Sequence, residues 1–258
     1  MPVGGWPGGG YRAPFVVVDG ATGPLDGRVR AALAASHLRG LPPGLTGELL
    51  AGARCVGVSA GDTMHRVGED ERHVELVVRG LVRVHASAPD GRTLTVRYCP
   101  MGALIGTLSL YAEPFVMPVT TQAVVDSELL AIRPGVVRGL ADRDVRVARA
   151  LLHELSERAT AFAAEISGSA FSTVRQRVGR HLLDLAAQCQ RGPDLVAPIS
   201  QQELADAVGT VREVVVRTLR ELRREGVLET GRHGVRILAP ERLSAEALRP
   251  PDGWNSGP

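Results

Sequence analysis

The stretch from Ile199 to Gly226, ISQQELADAVGTVREVVVRTLRELRREG, holds the residues whose types and spacing can do chemistry. On a helix turning about 100° per residue, Val211, Val215, Thr218, Leu219 and Leu222 fall on one side. Arg212, Glu213, Val216, Arg217, Arg220, Arg223 and Arg224 fall on the other. That second side carries five arginines and one glutamate, whereas an ordinary surface helix intersperses both signs. The chemistry is recognition rather than bond making. An arginine fork donates two hydrogen bonds to guanine O6 and N7, and a glutamate accepts one from cytosine N4. Arg212, Glu213 and Arg217 are therefore the base-reading candidates, with Val216 between them placed against a thymine methyl. Gln201, Thr210, Arg220, Arg223 and Arg224 are candidates for phosphate contacts, which give affinity without sequence choice.

These side chains need two helices and a tight turn to present them. Ser200 and Glu203 have the spacing of a capping box, so a helix starts there and runs to Gly209. Thr210 and Glu213 repeat the spacing, which predicts a second helix to about Glu225. Glu213 then has two roles open to it, capping in the free protein and reading on DNA. Helix, glycine turn, helix is the helix-turn-helix pattern, and its second helix fits the major groove. The following GVLETGRHGVRILAP predicts a β-hairpin wing with Arg232 and His233 at its tip, in reach of phosphate.

Upstream, Val145, Ala148, Leu152, Leu155, Ala159, Phe162 and Ile166 recur at alternating spacings of 3 and 4. Such a narrow stripe predicts a seam with a second copy of the chain; a helix lying on its own β domain is the other reading. SGS at 167–169 interrupts the pattern and reads as a hinge before the helix FSTVRQRVGRHLLDLAAQ. From Cys55 to Ile132, short Val-, Leu- and Thr-rich runs alternate with glycine turns, which predicts an all-β sandwich or barrel. PDGR between VRVHASA and TLTVRY is a hairpin turn. Two short helices, Arg28–Gly40 and LPPGLTGELLAGA, precede the strands.

The chain has 258 residues, 44% of them hydrophobic, and a formal net charge of only +2. Any nucleic-acid surface must be a local cluster. All 30 basic residues are arginine. Cys55, Cys99 and Cys189 lie far apart, without metal-ligand spacing, and read as thiols of a reducing cytosol. There is no apolar run of membrane-spanning length and no signal peptide, so the expected location is the cytoplasm. No Ser/His/Asp signature, P-loop, HExxH or dinucleotide glycine pattern is present, so an enzyme is not expected.

The order of β-roll, long helix, hinge and winged helix-turn-helix resembles the Crp/Fnr family of bacterial transcription regulators, over roughly residues 35–240. In the cyclic-AMP receptor branch the recognition helix begins Arg-Glu, with a second Arg four positions after the Glu; Arg212, Glu213 and Arg217 match. Val216 departs from the small residue found there in both that branch and the fumarate–nitrate branch. The resemblance implies a homodimer on an inverted repeat with half-sites similar to TGTGA, and RNA polymerase as a further partner. It implies an α+β fold: a flexible tail at 1–27, a jelly-roll, cyclic-nucleotide-binding-like β-roll with its N-terminal helices at 28–135, and a dimerisation helix at 136–168. The winged helix-turn-helix follows at 169–242 and a second flexible tail at 243–258.

In nucleotide-binding relatives, Gly-Glu holds the ribose, and an Arg about ten residues on pairs with the phosphate. The matching positions here are Gly106, Thr107, Met117 and Pro118, and the adenine-contacting pair falls at Phe162 and Ala163. An anion buried without a positive partner loses several kcal/mol of solvation, so the expectation is a pocket degenerate for cyclic AMP. Phe162 has the volume to fill adenine's place. The cysteine set of an iron–sulfur relative is absent. Haem, bound in some relatives, is open through His65, His73, His85 or Cys99, and His153 lies beside the seam. The expectation is no cofactor and no metal, with the effector undetermined.

Overall fold

The Val- and Thr-rich runs between Cys55 and Ile132 form strands because β-branched residues suit a pleated surface and glycines turn the chain between them. This is seen in a computed structural model, which describes residues 16–17, 27–88, 93–190, 193–232 and 234–247. The expected tails lie largely outside those residues. The chain divides into two units, Met1–Val84 with Cys99–Glu157, and His85–Tyr98 with Arg158–Pro258.

The first unit opens with strand β1 (Val16–Val17) and helices α1 (Gly27–Ala35) and α2 (Pro43–Leu49). Strands β2 (Arg54–Val58), β3 (Thr63–His65), β4 (Val74–Arg79), β5 (Val82–Ser87), β6 (Thr93–Cys99), β7 (Leu104–Ile105), β8 (Thr120–Ala123) and β9 (Ser127–Ile132) build the roll. One sheet has the order β1-β2-β9-β4-β7 and the other β3-β8-β5-β6. The register Glu75↔Ala131, Leu76↔Leu130 sets β4 against β9. Val74, Leu76 and Val78 then share one face and join a core with Ala32 and Leu33 of α1.

Helix α3 (Pro134–Arg143) ends at Asp144, and α4 (Val145–Phe171) begins there. Two helices therefore replace the single dimerisation helix expected over 136–168. The reason is local: Asp144 Oδ1 accepts the Arg146 backbone N–H at 2.9 Å, as a helix cap does. Hydrogen bonds from the Arg146 side chain and backbone hold the Asp144 carboxyl down at about 2. The hinge expected at 167–169 is also corrected, because α4 continues to Phe171. The break falls at Ser172–Thr173, where Thr173 and Gln176 form a capping box that starts α5 (Val174–Cys189).

The second unit adds β10 (Leu195–Ala197), α6 (Gln201–Ala207), α7 (Arg212–Arg224), β11 (Leu228–Gly231), β12 (Gly234–Ile237) and α8 (Pro240–Ala247). Its sheet runs β10-β12-β11. Helix α8 extends past residue 242, and a Cβ on Gly179 of α5 would lie 3.0 Å from the Leu243 side chain. The outer part of the β5–β6 hairpin groups with this unit. Thr93 Oγ1 donates to the Asp206 carbonyl at 3.2 Å, and the Tyr98 hydroxyl lies 2.6 Å from His181 Nε2. The PDGR turn itself is outside the described residues. No described helix is long and apolar enough to cross a membrane.

Candidate nucleic-acid interface

Helix α6 starts at the expected capping box: Ser200 Oγ accepts the Glu203 N–H at 3.2 Å, and the Glu203 carboxylate accepts the Ser200 N–H at 2.8 Å. The turn rests on Gly209, at φ +68°, a left-handed conformation that glycine takes without strain. The Thr210 N–H donates back to the Ala205 carbonyl at 2.9 Å. Thr210 is thereby part of the turn, and the second capping box does not form. Val211 is the N-cap of α7, with no side-chain cap. Glu213 has no capping role, which leaves its carboxylate for recognition.

The helical period sorts α7 as its sequence predicts except at Val211, which precedes the helix as its N-cap and is 53% exposed. Val215, Thr218, Leu219 and Leu222 are buried, while Arg212, Glu213, Arg217, Arg220, Arg223 and Arg224 are exposed and Val216 is half-buried on the same side. Among the described residues, none of these six charged side chains has a hydrogen-bond or ion-pair partner. The helix's other acid behaves differently. Glu221 lies 3.5 Å from Arg175, which also binds Glu225 at 2.6 Å and pairs with Glu246. Hydrogen bonds to the Glu246 and Glu225 carboxylates push the Arg175 pKa up. One half-buried arginine thus occupies Glu221 of α7, Glu225 just after it and Glu246 of α8, and the outward face of α7 keeps five positive charges against Glu213. The sequence reading missed Arg175, whose partners lie 50 and 71 residues away.

Gln201, Arg212 and Arg232 line one cleft of about 750 Å³ with Ser200, Gln202 and Thr230. It lies between the start of α6, the start of α7 and the wing, so two residues expected at phosphate meet one expected at a base edge there. Thr210 sits half-buried in the turn beside them. In the wing, Gly231 pairs with Gly234. Gly234 has φ +125°, and a Cβ there would lie 2.1 Å from the Ala197 carbonyl, so only glycine fits. His233 lies outside the described residues.

In the β-roll, Gly106 is left-handed at φ +80° and opens a short 3-10 turn, Thr107–Leu110. Thr107 and Met117 are buried and Pro118 is exposed. Neither buried side chain carries charge. The nearby cation that sequence reasoning missed is Arg72, which bonds the Ser109 carbonyl and, at 3.0 Å, that of Ala112. It also lies 3.7 Å from the Glu113 carboxylate. Phe162 and Ala163 fall in the other unit, where Phe162 is 51% exposed in the single chain rather than packed.

Among the haem candidates, the structure brings His65 and His73 together with Glu75, a residue the sequence reading passed over. Burial alone lowers the His65 pKa, but the Glu75 carboxylate outweighs it and the net direction is up. His73 is pushed down, by burial above all. Cys55 and Cys99 are buried and Cys189 is half-buried, with no disulfide among the described residues.

Helix α4 has two apolar faces. Val147, Ala150 and Leu151 bury in the first unit's core, with Glu154 beside them. The stripe of Val145, Leu152, Ala159 and Phe162 is exposed, with Ala148 and Leu155 half-buried. The Ile166 side chain falls outside the described ones.

The geometry agrees with what the chain resembles. The family model described as a Crp-like helix-turn-helix domain matches residues 176–246, and the cyclic nucleotide-binding domain matches residues 56–144. The transcriptional regulator LdrP of Thermus thermophilus is 31% identical over 193 residues, which cover 72% of this chain and 93% of that protein. The CRP-like cAMP-activated global transcriptional regulator of Mycobacterium tuberculosis is 27% identical over 83% of this chain and 96% of its own. Among solved structures, the c-di-GMP responsive global regulator CLP of Xanthomonas campestris superposes with a TM-score of 0.67 at 25% identity, covering 76% of this chain and 99% of that one.

Proposed function

The chain belongs to the Crp/Fnr family of DNA-binding transcription regulators, and from that premise we propose that it acts as a homodimer on an inverted repeat and does not answer to cyclic AMP. The observation that carries the reading is the outward face of α7. Five arginines and Glu213 stand exposed there without partners among the described residues, while Arg175 occupies Glu221. Arg212, Glu213, Val216 and Arg217 sit near the helix start, where a recognition helix meets base edges. Arg220, Arg223 and Arg224 follow for phosphate, with Gln201, Thr210 and Arg232 beside them. The half-sites are similar to TGTGA.

The exposed apolar stripe of α4 supports the dimer, since a second copy would cover it and set two recognition helices on two half-sites. Named relatives answer different nucleotides, cAMP in one and c-di-GMP in another, so the pocket rather than the family decides the effector. Here Thr107 and Met117 stand where a ribose partner and a phosphate partner would be needed, and Arg72 is held by carbonyls. RNA polymerase is the expected protein partner, and the cytoplasm the expected location.

Selection from random duplex DNA with ligand-free protein tests this. The expected product is an inverted repeat. Recovery of single half-sites or of unselective DNA overturns the dimeric reading. A tightening of about tenfold or more, about 1.4 kcal/mol, on adding cyclic AMP overturns the effector reading.

A further inference from the structure

Between the two sheets of the β-roll lie three buried side chains that DNA recognition does not use. His65 ends β3, His73 immediately precedes β4, and Glu75 is the second residue of β4. His73 and Glu75 are two apart on extended chain, so they point to the same side. That side is opposite to Val74 and Leu76, which face the helices. Strands β3 and β4 belong to different sheets, so the trio bridges them. His65, His73 and Glu75 are 6%, 6% and 1% exposed. One ligand atom from each, an imidazole nitrogen or a carboxylate oxygen, lies within 4.8 Å of the other two. His65 Nε2 is 2.7 Å from Glu75 Oε1. The two imidazoles stack with centroids 3.5 Å apart and planes 9° from parallel.

His73 is the telling member. Its Nδ1 faces the Glu71 carbonyl at 3.4 Å, which assigns the proton to Nδ1 and leaves the lone pair on Nε2. That Nε2 is buried with no hydrogen-bond partner among the described residues. A polar atom without a partner inside a protein costs free energy, and something must repay it. The Gly106 backbone packs closely on this residue: a Cβ there would lie 2.6 Å from His73 Cδ2 and 2.1 Å from the His73 carbonyl oxygen. A neutral imidazole whose tautomer a backbone carbonyl fixes, set beside a second imidazole and a carboxylate, has the arrangement of a metal ligand.

We propose that His65 Nε2, His73 Nε2 and the Glu75 carboxylate bind one divalent transition-metal ion, with Zn²⁺ the best match to the donor set. Two imidazoles and one carboxylate suit Zn²⁺ and its first-row neighbours; Mg²⁺ and Ca²⁺ take oxygen ligands. Bonds of about 2.0–2.2 Å set ligand atoms roughly 3.3 Å apart at tetrahedral angles. The trio therefore closes from its widest separation, the stacked imidazoles turn out of parallel so that both ring lone pairs meet the ion, and the His65–Glu75 hydrogen bond opens as the ion replaces the proton between them. Glu69 Oε2, 3.8 Å from His65 Nδ1, is placed to accept from that second nitrogen. Glu69, Asp70 and Glu71 make an acidic run beside the trio, whose potential gathers cations. Three protein ligands leave a fourth position for water or a small molecule. The β-roll then has an effector chemistry of its own, built beside the loop that holds nucleotides in relatives.

The test uses the full chain, stripped with a chelator and titrated with Co²⁺ as a spectroscopic substitute for Zn²⁺. The expected result is one Co²⁺ per chain with visible ligand-field bands, displaced by Zn²⁺, and an affinity at least about 100-fold weaker in His73→Ala and Glu75→Gln. Wild-type protein without such bands overturns the site, as does a variant that keeps the wild-type spectrum. Bands from cobalt–thiolate charge transfer would assign the ion to cysteine and overturn it too. If a variant does not fold, the wild-type Co²⁺ protein decides by proton NMR: two shifted exchangeable imidazole N–H signals are expected, and their absence overturns the proposal. None of these readouts involves DNA, so their failure leaves the DNA reading standing.

Discussion

Leu151 and Leu152 are neighbours in α4 with different surroundings. Leu151 is 4% exposed and packs in the core of its own unit, whereas Leu152 is 61% exposed in the single chain. Burying a leucine fully is worth about 1.5–3 kcal/mol. Roughly three-fifths of that is still to be gained at Leu152, or about 1–2 kcal/mol per copy. A two-fold dimer gains it twice, so Leu152→Ala is expected to weaken dimerisation by about 2–4 kcal/mol, roughly 30- to 1,000-fold in the dissociation constant. It should leave the melting of the single chain nearly unchanged. Leu151→Ala should do the reverse, costing about 2–5 kcal/mol of stability through the cavity it leaves. Sedimentation equilibrium over a concentration series reads the first effect, and thermal melting reads the second. If Leu152→Ala keeps the wild-type dimer constant within about threefold, under 1 kcal/mol, or if both variants lose the same property, α4 is not a two-faced helix and the seam lies elsewhere.

Arg217→Ala should relax base choice at one position of each half-site and cost about 1–3 kcal/mol on the best sequence; selection with the variant reads this, and an unchanged motif removes Arg217 from the base readers. Arg224→Ala should weaken all sequences alike and reduce the slope of log affinity against log salt by about 1 per half-site, while a loss confined to some sequences reassigns it to base contact. Asp144 is held at about 2, well under its ordinary 3.8, by hydrogen bonds from Arg146. A depressed carboxyl stabilises the fold above the ordinary value, and that contribution fades as pH falls towards 2. Asp144→Asn should therefore flatten the acid limb of helical melting followed by circular dichroism; an unaltered acid limb shows the cap to be inert.

The arginine face of α7 was legible because a 3.6-residue period separates five arginines from Val215, Leu219 and Leu222 without any tertiary information. The details that failed are those where two local signals competed. Thr210 has a capping oxygen, but its N–H closes the turn onto Ala205, so the helix starts one residue later without a side-chain cap. At Ser167-Gly168-Ser169 the weak helix formers read as a hinge, yet Thr173 and Gln176 make a capping box four residues further on, and that is where the helix breaks. Propensity costs of tenths of a kcal/mol at Ser and about 1 kcal/mol at Gly do not end a helix; a cap that offers the next one a start does. Arg175 was out of reach for a different reason, since its three acids come from α7, the residue after it, and α8.

The heptad stripe shows how a correct periodicity can still describe half a helix. Counting from Val145 picks out the outward stripe, but Val147, Leu151 and Glu154 recur at the same spacings one-quarter turn away and bury in the unit's own core. The buried trio of the β-roll follows the same lesson on a strand. HVELVV reads as a plain apolar run, and Glu75 passes as the solvent-facing residue of an alternating strand. Yet β4 pairs with β9 on one edge and β7 on the other, and both its faces are covered. A central strand covered on both sides has no solvent face to give a carboxylate. Glu75 must then meet its partners inside the roll, and strand parity sends His73 to the same side. Once β4 is known to be central, a histidine two residues before a buried glutamate is the signal that DNA recognition does not account for.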